Sequence, residues 1–147
     1  MRDLGNNLTP AQMVHSAIHA ANHSSTVVDL TGFEGAFVNV NTGVEGVTFG
    51  ASVHIQFKLM DSPDNTTFTA VAQSGVTDAS ITAGVFLKLD DNAETPQVSG
   101  IGYIGGQRYL RVDVVFTGSH STGTSMSVEC IKGYPHHAGG ASTYALA

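Results

Sequence analysis

Charge is what this chain has least of. Only 12% of its 147 residues are Asp, Glu, Lys or Arg, about half the share usual in soluble domains. A disordered tail would be charge-rich and poor in β-branched residues, so that class is excluded. Charges also keep free monomers apart, and their scarcity points to a surface partly hidden in an assembly. Six basic residues against twelve acidic ones leave a net charge of −6. Phosphate binding needs a basic stripe, which excludes nucleic acid as the main partner. Cysteine is nearly absent too. Cys130 is the only one, so no intrachain disulfide can form, and its place in the alternating run Met126-Val128-Cys130 predicts a buried structural thiol. No apolar run approaches the ~20 residues of a membrane span, and no membrane partner is expected. The opening MRDLGNNLTPAQ lacks the basic-then-apolar order of a secretory signal. The expectation is a soluble product made in the cytoplasm, with no export address.

Seventeen glycines and many Ser, Thr and Asn residues fill the space that charges leave. The length suits one domain with one core. Three segments are expected: an N-terminal arm over residues 1–25, a β-sandwich domain over 26–138 and a C-terminal tail over 139–147. In the arm, Thr9-Pro10 resembles a helix start, and Met13, Val14, Ala17, Ile18 and Ala21 recur at helical spacing. A short helix is predicted there, with an extended arm as the alternative. From Thr26 the period becomes two. Val53, Ile55, Phe57 and Leu59 alternate with His54, Gln56, Lys58 and Met60; Leu110, Val112, Val114 and Phe116 alternate with Tyr109, Arg111, Asp113 and Val115. Ser62-Pro63-Asp64-Asn65 is a turn that returns the chain through Phe68, Ala70 and Ala72. Further strands are read at Val27–Leu30, Ala36–Val40, Val85–Leu89 and Met126–Lys132. The predicted fold is all-β: an antiparallel, jelly-roll-like sandwich of about seven or eight strands.

Few residue sets could carry chemistry. His15, His19 and His23 stand at i, i+4 and i+8, which on a helix would suit a transition metal. They lack a supporting carboxylate, and no metal is expected. No Gly-x-Ser-x-Gly elbow marks a nucleophile, and Asp61, Asp64, Asp90 and Asp91 read as turn residues rather than a calcium loop. Gly102, Gly105 and Gly106 precede a strand, so a phosphate-binding helix end is missing and turn glycines are the better reading. Neither an enzyme nor a cofactor is expected. The remaining candidates are partner contacts: Arg108, Tyr109 and Arg111 on one strand, with Tyr134, His136 and His137 near the end. Arg and Tyr are favoured interface anchors, while a local Arg111–Asp113 pair would be the plainer explanation of that strand.

Three blocks in order, Val28–Ala36, Met60–Phe68 and Gly102–Val112, followed by Gly133-Tyr134-Pro135-His136-His137-Ala138, resemble the head decoration, or cement, proteins of tailed bacteriophages. The resemblance spans roughly residues 26 to 138. It implies a structural virion protein on the capsid exterior, bound to the major capsid protein of an assembled shell and stabilising it by bridging capsomers. It also implies a homo-oligomer, with a trimer fitting a threefold junction, and no catalytic residues. The alternative from another class is a carbohydrate-binding β-sandwich module of a phage surface. Without tryptophan, that reading needs Tyr103, Tyr109, Tyr134 and Phe33 as exposed platforms.

Overall fold

The computed structural model describes residues 4–77 and 79–136. Its strands are β1 (Leu8–His19), β2 (His23–Ser24), β3 (Val28–Asp29), β4 (Phe33–Thr42), β5 (His54–Ser62) and β6 (Thr69–Ala70). They continue as β7 (Val76–Thr77), β8 (Val85–Leu89), β9 (Gln97–Tyr103), β10 (Tyr109–Thr117) and β11 (Thr124–Pro135). All pairings are antiparallel. The first sheet runs β1-β11-β4-β9-β7; the second runs β2-β10-β5-β6, with β3 also on β10 and β8 also on β5. The chain is an all-β sandwich.

Alternation builds the core. β4 and β11 turn Val38, Val40, Met126, Val128 and Cys130 inward, and β5 and β10 turn Ile55, Phe57, Leu59, Leu110, Val112 and Val114 to meet them. Each large apolar side chain taken wholly out of water contributes about 1.5–3 kcal/mol before entropy is counted. Cys130 is fully buried, and burial pushes its thiol up to about 12, so it packs as a hydrophobe and is not a nucleophile at neutral pH. One polar contact joins the sheets inside: the Tyr103 hydroxyl on β9 donates to Asp61 Oδ2 on β5 at 2.7 Å. Asp61 Oδ1 accepts from Thr69 as well. Burial, then this bond to a carboxylate, holds the Tyr103 phenol well above its usual range.

The predicted N-terminal helix is corrected to a strand. Leu8–His19 pairs with β11 from Leu8 opposite Gly133 to His19 opposite Thr124. Register shifts fall between Gln12 and Val14 and between Val14 and Ala17. These irregularities put Met13 and Val14 side by side in the core, breaking the alternation a regular strand would show. The result mimics a helical period in sequence. Nor is the segment an arm outside the body. After β1 the chain crosses to the second sheet, where the Ser25 N–H donates to the Val112 carbonyl at 2.8 Å and Ser25 Oγ accepts from the Val112 N–H at 2.9 Å. Residues 8–25 therefore close one side of the sandwich. The expected boundary at 138 lies outside the described residues.

Candidate functional site

The outward face of the first sheet follows from the same alternation. Since Ala36, Val38 and Val40 point inward, Phe37, Asn39 and Asn41 point out. Across the ladder they neighbour Ile131, Glu129 and Ser127 on β11, and Gly102, Gly100 and Val98 on β9. β1 adds Leu8 beside Gly133 and Pro10 beside Ile131. The face has two halves. In one, Asn39 Nδ2 donates to Glu129 Oε1 at 3.0 Å. The other is an open trough of about 460 Å³ lined by Leu8, Phe37, Ile104, Ile131 and Tyr134, with Gly35, Gly102 and Gly133 between them. No charged side chain lines it.

Glycine is required here by close approach. A Cβ on Gly100 would sit 2.4 Å from Phe37 Cζ, so the Phe37 ring rests on the β9 backbone. Tyr134 lies over Gly35, with ring carbon Cδ2 3.6 Å from where a Cβ would stand. Tyr134 is 78% exposed and has φ of +54°. The left-handed region costs a bulky L-residue roughly 1–2 kcal/mol, and such conformations cluster at functional sites. Of the eight large hydrophobic side chains exposed among the described residues, Leu8, Phe37, Ile104 and Tyr134 line this one trough.

A second concavity, of about 450 Å³, lies at the same end and shares Tyr103 with the trough. It is lined by the Leu30–Glu34 turn, Gly106 to Arg108, and His136. Arg108 grips Asp29 with two bonds, Nε to Oδ1 at 3.1 Å and Nη2 to Oδ2 at 2.8 Å, and its guanidinium lies 4.8 Å from the Tyr109 ring centre. That grip is the main reason the Asp29 carboxyl sits far below the usual carboxylate range. His136 Nε2 is 3.8 Å from Glu34 Oε1.

The predicted contact residues thus divide. Arg108 and His136 line the second concavity, Tyr109 lies outside its lining beneath the Arg108 guanidinium, and Tyr134 belongs to the trough. Arg111 faces out from the second sheet, where Nε meets Asp113 Oδ1 at 2.9 Å and the guanidinium covers Phe68 at 4.2 Å. His137 lies outside the described residues. Phe37, Ile104, Ile131 and Leu8 were missed by sequence reasoning. The signal for Phe37 was present, because period two in Ala36–Val40 opposes it to Val38. For Ile104, just past a glycine-interrupted strand, there was none.

The three histidines do meet, though on a strand and its crossover rather than a helix. Ring centres are 5.1 Å apart for His15 and His19, and 4.5 Å for the stacked His19 and His23. His19 Nε2 donates to the His15 carbonyl at 3.2 Å and His23 Nδ1 to the Ala21 carbonyl at 3.0 Å. Among the described residues no group of three or more His, Cys, Asp or Glu side chains is arranged to hold a metal ion. Of the four aromatics that a sugar platform would need, Tyr103 and Phe33 are buried.

No family model matches the chain, and no curated protein matches its sequence. Among solved structures, the chain is similar to the SPBc2 prophage-derived protein YomS, with 13% identity, a TM-score of 0.50, and 86% of this chain and 92% of that one covered. A chain from a structure of Bacillus endospore appendages, described as a family of disulfide-linked pili, aligns at 10% identity over 92% of this chain and 96% of that one, with a TM-score of 0.43. The first likeness is one of fold.

Proposed function

We propose that the protein is a structural component of a phage virion that docks on the outside of an assembled capsid and stabilises it by bridging capsomers. The observation that carries this reading is the uncharged apolar trough on the first sheet, which suits a protein that works within an assembly. Exposed apolar surface gathered in one place, on rigid strands and around a strained tyrosine, suits docking to protein. The prophage origin of a protein with the same fold supports the virion setting, as does the sequence resemblance. The major capsid protein is the proposed partner, met through the concavity of Arg108 and His136, and the trough joins copies into a homo-oligomer such as a trimer. Each site then adds a modest interface that recurs across the lattice, and only the assembled shell offers all its parts.

The test is sedimentation with heads, together with heads made without the protein. The protein should follow particles through a density gradient, and heads lacking it should close yet release DNA at lower temperature. Heads that never close would make it a shell or scaffold subunit. Heads of equal robustness would make it a passive surface domain. Release from the particle by free sugar would favour the carbohydrate-binding module.

A further inference from the structure

We propose that the trough on the first sheet is the seat for residues 137–147 of a second copy of this chain, which makes the assembly head-to-tail. The inference rests on the homo-oligomer reading and names its interface.

Composition, length and exit point agree. Residues 137–147 read HAGGASTYALA, without Asp, Glu, Lys or Arg, and the trough they would fill is uncharged as well. In an extended chain Tyr144 and Leu146 share one side, a spacing along the strands that can place one against the Phe37–Ile131 pair and the other over the next rung, Gly35 and Gly133. The small residues around them fit a surface whose glycines bring backbone close. Eleven residues reach at most about 36–40 Å. On β11 the trough runs from Tyr134 back to Ile131, roughly 10 Å at strand spacing. About a third of the segment covers it and the rest spans to the neighbour.

The exit point favours a neighbour over the segment's own trough. Pro135 still pairs with Phe33 on β4, and the His136 N–H donates to the Gly32 carbonyl at 2.9 Å. His136 therefore stands past the end of the sheet, beyond Pro135 from Ile131 and Phe37. Reaching its own trough requires a reversal within a few residues, whereas a second copy's segment enters lengthwise. Such a contact joins two different surfaces, so it closes into a ring where the rotation permits. That outcome also hides the charge-poor surface. Tyr134 stands at the trough's rim in a conformation glycine would adopt without cost, which separates docking from folding.

The experiment uses the full chain throughout. Light scattering on the native protein should show an oligomer. Phe37→Lys disables the trough, and Tyr144→Asp combined with Leu146→Asp disables the segment; each should give a monomer with the native melting temperature. Mixed in equal amounts, these two variants should associate again in pairs, because each supplies what the other lacks. Tyr134→Gly should weaken association at least tenfold while melting no lower than the native chain. A native chain that is monomeric, a variant that stays associated, or a mixture that stays monomeric overturns the proposal. Head binding is scored separately. Association without head binding sinks the capsid reading alone, and head binding by a native monomer sinks this one alone.

Discussion

The two outer faces of the sandwich are built from the same alternation and present opposite chemistry. On the second sheet, β10 and β5 turn out Arg111 opposite Met60 and Asp113 opposite Lys58. Arg111 and Asp113 there neutralise one another as an ion pair. On the first sheet, the corresponding positions are Phe37, Ile131, Gly100 and Gly102. A face that carries charged groups is finished with respect to water, whether they pair or are hydrated. A face with an exposed Phe, an exposed Tyr and bare glycine backbone is complete only when something covers it. The contrast explains why Arg111, conspicuous in sequence, is the weaker candidate for docking.

The largest effect should fall on both faces at once. Phe57 is fully buried where the sheets meet, and Phe57→Ala should cost about 3–5 kcal/mol, read by denaturant unfolding. If that variant lost association while keeping its stability, the trough would depend on a loose core and the two faces would not be independent.

Tyr103→Phe should come next, at about 1–3 kcal/mol, because it leaves Asp61 Oδ2 without its donor while Thr69 serves only Oδ1. It also changes the alkaline limb of stability. The phenol is held above its ordinary value of 10.0 in the folded protein, so its contribution is whole below pH 10 and is lost as pH rises beyond it. The Phe variant should flatten that limb in unfolding curves recorded above pH 10. An unchanged limb would mean that other groups govern it.

Smaller effects separate the faces. Arg111→Ala removes a half-buried pair and a guanidinium stacked on Phe68, and should cost about 1 kcal/mol with association untouched. Phe37→Ser should cost about 1 kcal/mol in stability, because the ring is partly covered by the β9 backbone, and should lose association. The reverse pattern would place the docking surface on the second sheet.

The strands at the centre of the second sheet were the most legible part of the chain. Ile55, Phe57 and Leu59, and Leu110, Val112 and Val114, alternate cleanly because one side of each strand meets the core and the other meets water. β1 was misread because its two register shifts replace alternation with a near-helical spacing of Met13, Val14 and Ala17. β9 was missed for a different reason. Its outward positions include Gly100 and Gly102, which carry no side chain and so leave half the period silent. Those glycines make the trough, and the same silence hid it. Tyr134 was picked out in sequence, yet its left-handed backbone, inside a strand whose register with β4 is regular, leaves no mark in the residue pattern.

The smallest expected effect concerns the end where Arg108 holds Asp29. Both side chains are about half exposed, and an exposed pair is screened by salt and contributes little. Its signature is therefore better sought in pH dependence than in total stability. Asp29 has its carboxyl depressed below the ordinary 3.8 by the Arg108 bonds. The pair's contribution is present above that value and disappears as pH falls below it, since the unfolded chain takes up the proton first. Asp29→Asn should remove a shallow part of the acid-side loss, visible as a smaller drop in melting temperature between pH 5 and pH 3 at low salt. It should leave association through the trough unchanged, because Arg108 and Asp29 do not line it. If head binding also weakens in that variant while the oligomer persists, the Arg108 concavity is the capsid contact, and the two ends of the proposed assembly are assigned to different surfaces.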